Sequence, residues 1–193
     1  MATPWLKRIK NTGQLTVHNK ATTWSVPVES AIKSFNSLSL GVKLVPEQNE
    51  KDANIVVVLA NGPAKYNYYG DTASTKDDFK YDQLHGQTST LTDKKRNEIF
   101  FAAIFLPGKI KDANKSQKEM VLVHEFMHAC GLNDQAHDHD SAGIMFSAMN
   151  MKDGGLVEAL AEKNTKAMPP IRVGSKTMCK MKMLWAGGEA CEE

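Results

Sequence analysis

Apolar residues recur along the chain in two different periods. Over Gln14 to Asn19, Leu15 and Val17 alternate with polar neighbours, which predicts a short strand. Val28, Ile32, Phe35 and Leu38 follow at three- and four-residue intervals. An amphipathic helix is therefore expected over 26–38, with Ser25 as its N-cap, Pro27 in its first turn and an end near Gly41. Val42 to Val45 and Asn54 to Ala60 read as buried strands, the second holding the unbroken run Ile55-Val56-Val57-Val58-Leu59. The stretch 61–84, rich in Gly, Asn, Asp, Lys and Tyr, follows neither period and is expected to be irregular. Gln87 to Leu91 reads as a strand with polar faces, as an edge strand has, and Glu98 to Leu106 as an apolar, aromatic strand stopped by Pro107-Gly108.

The best-defined helix comes next. Residues 117–130 are strong helix formers, Ser116 with Glu119 three positions on has the form of a capping box, and Gly131 stands where a left-handed C′ residue is expected. A loop rich in His and Asp runs through 142. A further helix is expected over about 155–166, after Gly154-Gly155 and before Pro169-Pro170. From 171 the tail alternates Lys and Met (Lys180, Met181, Lys182, Met183), a period that predicts a strand. Strands gathered in the first half and helices in the second indicate an α+β fold.

Composition narrows the function classes without naming one. A chain of 193 residues with 41% hydrophobic content can bury a core and makes one domain. Its net charge of +2, without single-sign blocks, gives no electrostatic support to nucleic-acid or membrane-surface binding. No apolar stretch approaches the roughly 20 residues of a membrane span. Met1 to Arg8 lacks the apolar core of a signal peptide, which leaves a removed leader, another export route or an internal location open. Of three cysteines, Cys130 falls within the helical segment and reads as a buried small hydrophobe. Cys179 and Cys191 flank Gly187-Gly188 and are either a disulfide, which would indicate an oxidising compartment, or two free thiols.

The chemistry is concentrated in HEFMHACGLND, His124 to Asp134. His124 and His128 are four apart, so on an α-helix they lie about 40° apart around the axis, one turn above the other. Two imidazoles so placed can bind one Zn²⁺ from the same face. Glu125, displaced by about 100°, points away from that pair but can reach a water at the metal and take its proton. This composition, shuffled, would produce HExxH in about one chain in a hundred, so the spacing gains weight from lying within a capped helix that Gly131 ends.

With the residues that follow, the segment resembles a family. His124-Glu125-x-x-His128-x-x-Gly131-x-x-Asp134 is similar to the elongated zinc motif of metzincin metalloendopeptidases. Its final Asp resembles that of the small bacterial snapalysin-like proteases, and the chain is also comparable with matrixin-like ones. Gly143-Ile144-Met145, with Met145 eleven residues after Asp134, resembles the family's Met-turn, whose methionine packs beneath the metal-binding imidazoles. Motif and turn together span about 22 residues, and the order of the upstream elements fits as well. The resemblance implies Zn²⁺ held by His124, His128 and Asp134. His137 and His139 lie just beyond Asp134, and histidine is the commoner zinc ligand, so His137 is the alternative third ligand, followed by His139 or no residue at all. The resemblance further implies that Phe146 to Asn150 wall the pocket for the residue after the scissile bond. Ser147 stands where some metzincins carry an oxyanion-binding tyrosine, so no such tyrosine is expected. His137 to Asp140 could hold a second cation or form a solvated loop, and Met149 and Met151 compete with Met145.

The resulting expectation is a zincin-like α+β domain spanning 1–193. Residues 1–131 would form an upper part, a twisted mixed sheet with the active-site helix, and 132–193 a smaller lower part with the Met-turn and a C-terminal helix. The resemblance implies a secreted zinc endopeptidase acting on peptides or proteins, with Glu125 as general base. Residues 86–91 read either as an edge that could pair an extended substrate or as an ordinary loop. Two alternatives remain: another zincin architecture with Glu158 or Glu162 as third ligand, and a non-catalytic zinc-binding interaction protein. His18 and His85 lie far from the motif in sequence and read as surface or packing residues.

Overall fold

In the computed structural model, residues 2–110, 113–133, 145 and 171–187 are described. The chain begins with a short helix, α1 (Lys7–Lys10), then β1 (Gln14–Asn19), α2 (Ser25–Ser37), β2 (Lys43–Pro46) and β3 (Ile55–Ala60). After these come the hairpin strands β4 (Lys65–Tyr68) and β5 (Asp71–Ser74), then β6 (Gln87–Asp93) and β7 (Glu98–Pro107). Two more helices are described, α3 (Lys115–Ala129) and α4 (Ser175–Ala186).

Five strands form one mixed sheet in the order β2-β1-β3-β7-β6. β1, β2, β3 and β7 are mutually parallel, while β6 runs antiparallel to β7 at the edge. β7 lies inside the sheet, between β3 and β6, and is buried on both faces, which explains its continuous apolar run. Ala102, Ile104 and Leu106 join the core shared with α2 and α3, and Phe101, Ala103 and Phe105 face the β4–β5 hairpin. The hairpin lies within 61–84, where the sequence predicted irregular chain. Its signal is aromatic rather than periodic: Tyr66 and Tyr68 stack on Phe101 with ring centroids 5.4 and 3.9 Å apart.

The two sheet edges differ. At β2, the Asn36 side chain donates to the Leu44 carbonyl at 2.9 Å and accepts from its amide at 2.8 Å, so a side-chain amide takes the place of a neighbouring strand. At β6, no described strand pairs with the outer edge.

Three further expectations are corrected. The tail alternation of Lys and Met does not make a strand: Ser175–Ala186 is the helix α4, which buries Thr177, Met181, Leu184 and Trp185, residues spaced for a helical face. The capping box of α3 also lies two residues earlier than expected. Asn114 accepts from the Gln117 amide at 2.9 Å, and Gln117 accepts from the Asn114 amide at 2.9 Å, while Glu119 instead accepts from the Ser30 and Ser34 hydroxyls of α2. α2 likewise begins at Ser25 itself, with no side-chain cap. The helix expected over 155–166 lies outside the described residues. No described helix is long and apolar enough to cross a membrane.

Candidate metal centre

α3 is buried on most sides: Leu122, Val123, Phe126, Met127 and Ala129 are fully enclosed. Removing each larger side chain from water contributes about 1.5–3 kcal/mol, which seats the helix against the sheet and α2. His124 and His128 remain half-buried on its open side. The four-residue spacing brings their rings together as expected, with centroids 4.7 Å apart and planes at 77°. Their Nε2 atoms stand 3.1 Å from each other. Two nitrogens each about 2.0–2.1 Å from a tetrahedral Zn²⁺ would be about 3.3 Å apart, so the imidazole pair fits that ion.

The tautomer of His128 follows from how the helix ends. Gly131, at φ +112°, is the C′ residue of a Schellman turn: its amide donates to His128 O at 2.9 Å, and the Leu132 amide to Met127 O at 3.3 Å. That turn swings the Leu132 carbonyl back to 2.6 Å from His128 Nδ1. A carbonyl only accepts, so Nδ1 carries the proton and Nε2 presents its lone pair towards His124.

Glu125 is 4% exposed and lies against the edge strand. Thr88 of β6 donates from Oγ1 to Glu125 Oε2 at 2.7 Å and lies 3.1 Å from the Glu125 carbonyl. Gly86 closes in beside it, so near that a Cβ there would stand 2.5 Å from Glu125 Cγ. Neither Thr88 nor Gly86 was singled out from the sequence. A polar residue on an expected edge strand carries no sign of which helix it faces, and only the pairing of Thr88 with Ile104 puts it on the helix side. Thr88 and Thr90 also line a pocket of about 330 Å³ with His128, Leu132 and Thr3. Asn133 lines it too, and its Oδ1 is buried without a hydrogen-bond partner, an acceptor that a bound donor or cation would satisfy.

Among the described residues, no group of three His, Cys, Asp or Glu side chains is placed to hold a metal. The third-ligand candidates Asp134, His137, His139, Glu158 and Glu162 lie outside the described residues, as do Phe146 to Asn150 and Cys191. Met145 is described and fully buried, in the same apolar cluster as Phe126, Met127 and Cys130. Cys130 is a free, buried thiol whose pKa is pushed up by burial, and Cys179 is disulfide-bonded. His18 bonds the Glu47 carbonyl through Nδ1, and His85 bonds the Lys80 carbonyl through Nε2 and packs against Phe79. Both are packing residues, although His85 directly precedes the glycine that touches Glu125. No protein-family model and no curated protein sequence matches the chain.

Proposed function

We propose that the protein is a zinc-dependent endopeptidase of metzincin type. The observation that carries this reading is the converging pair of imidazole nitrogens on α3, with the Glu125 carboxylate one residue on and held against the edge strand. The mixed sheet supports it, since its antiparallel member is the edge strand next to α3.

His124 and His128 would hold Zn²⁺ through Nε2, with Asp134, or alternatively His137, as third ligand. Zn²⁺ bound by three protein groups supplies a Lewis acid that polarises a carbonyl and lowers the pKa of water towards neutrality. The protonated Nδ1 of His128, fixed by Leu132 O, keeps its ring turned for that role. Glu125 acts as general base and then general acid: a carboxylate oxygen accepts a proton from the attacking water and returns it to the departing amine. The outer edge of β6 offers main-chain N–H and C=O groups to an extended peptide, so substrates are expected to bind as an added strand.

The test is hydrolysis of casein by zinc-loaded protein, with a chelator added and then excess Zn²⁺ restored. Cleavage that stops with chelator and returns with Zn²⁺ is expected. Zinc-loaded protein that cleaves neither casein nor denatured protein substrates would overturn the proposal.

A further inference from the structure

We propose that Thr88 is the positioning residue of the Glu125 carboxylate, so that the strand offering its edge to a peptide also holds the proton acceptor. The catalytic consequence rests on the endopeptidase reading above; the Thr88–Glu125 link does not. Four observations carry it.

Glu125 is almost wholly buried, and a buried carboxylate requires hydrogen-bond donors. An ionised carboxylate only accepts, so in the 2.7 Å contact the Thr88 hydroxyl is the donor, and Oε2 is nearer to it than the helix carbonyl at 3.1 Å. Threonine is β-branched and stiff about χ1, so its hydroxyl direction is set by the strand backbone. Finally, Gly86 bounds the other side, where a Cβ would stand 2.9 Å from Glu125 Cδ and 3.0 Å from Oε1. The carboxylate is therefore held from two points of one segment, two residues apart.

That segment is tied to the sheet by pairing with β7, Thr88 opposite Ile104 and Thr90 opposite Ala102. Thr90 follows on the same face and lines the same pocket as Thr88 and His128. A peptide laid along the outer edge of β6 would take its register from the strand that fixes the base. The distance from scissile bond to proton acceptor is then set within one strand.

Two measurements test this. The first needs no activity: a urea-unfolding double-mutant cycle of Thr88→Val, Glu125→Met and the pair. Coupling that multiplies the unfolding equilibrium constant by about tenfold is expected for a hydrogen bond to a charged group, and effects that simply add, within about twofold, overturn the link. In the second, steady-state kinetics on the zinc-loaded protein, Thr88→Val should lower kcat about 10–100-fold with KM changed less than about twofold, and Thr88→Ser, which keeps the hydroxyl without the β-branch, should restore most of the lost kcat. An active wild type whose Thr88→Val variant keeps its kcat refutes the positioning role. Coupling in the cycle together with a wild type that hydrolyses nothing upholds the link and refutes the endopeptidase reading instead.

Discussion

The amide of Thr3 donates to the carbonyl of Gly131 at 2.8 Å, and this contact leaves no room for a side chain on the glycine. A Cβ at Gly131 would stand 2.3 Å from the Thr3 carbonyl oxygen, and φ of +112° is a conformation that L side chains rarely adopt. Gly131→Ala is therefore expected to lower stability by at least about 1–2 kcal/mol from the backbone alone. It should also weaken zinc binding, because the same turn aims Leu132 O at His128 Nδ1. Urea unfolding and zinc titration of the variant measure both, and a variant with wild-type values in each would remove the Schellman turn from the account.

Replacing either imidazole separates binding from chemistry. His124→Ala and His128→Ala should each weaken Zn²⁺ by more than the roughly 10–100-fold that loss of an outer-shell partner costs, with the fold intact because both rings are half-buried. Glu125→Gln should retain zinc at the wild-type ratio and lose about 100–10,000-fold in kcat, the usual contribution of a general base. Metal content and kcat measured on the same preparations decide the point. Glu125→Gln with wild-type turnover would exclude Glu125 from the mechanism.

Gly86 sets how close the edge strand comes to Glu125. In Gly86→Ala the new methyl would overlap Cγ at 2.5 Å, so the carboxylate must shift. A displacement near 1 Å costs about 100-fold in rate, and zinc affinity should change little because neither imidazole is touched. Unchanged turnover would show that the strand can retreat from the helix at no catalytic cost.

Away from the centre, Lys20, Glu50 and Tyr66 give stability a pH dependence with a definite sign. The Lys20 ammonium and then the Tyr66 hydroxyl, bonded to Glu50 at 2.7 and 2.6 Å, hold the Glu50 carboxyl below its ordinary 4.5. Its contribution is therefore full above that value and is lost as pH falls through the lower folded one. Tyr66 is raised above its ordinary 10.0, first by burial and then by Glu50, so its contribution is full below that value and declines as pH climbs past it. Glu50→Gln should lower Tm slightly at neutral pH, since the pair is more than a third exposed, and the difference from wild type should shrink as pH falls below 4.5 and the carboxyl takes up its proton. A difference that stays constant as the carboxyl is titrated would exclude the ionised carboxylate as its source.

Much of the sheet was legible because burial and period coincide there. β1 was bounded correctly, β3 and β7 were placed within a residue, and the edge position of β6 followed from its polar faces. The imidazole pair and the helix-ending Gly131 were legible because helical spacing and the need for positive φ are local properties. The β4–β5 hairpin escaped because its two strands are four residues each and are held by aromatic stacking on β7 rather than by alternation. α4 was misread because Lys and Met also alternate over a few residues of a helix. Thr88 and Gly86 were invisible for a different reason: their importance comes from which face of β6 meets α3, and a register lies in the pairing rather than in either strand.

The carbonyls of Ala129 and Cys130 receive indole N–H groups from opposite directions along the chain, Trp5 Nε1 at 2.9 Å and Trp185 Nε1 at 3.0 Å. The imidazole-bearing helix is thus closed off by two residues 180 positions apart, and the later one is synthesised 55 residues after its acceptor. During translation, the helix can form and α2 can cover it well before its exit is sealed. The second of these bonds therefore waits for Trp185 to leave the ribosome, and a nascent chain stalled before that residue carries both imidazoles on a helix that still lacks its final bracket.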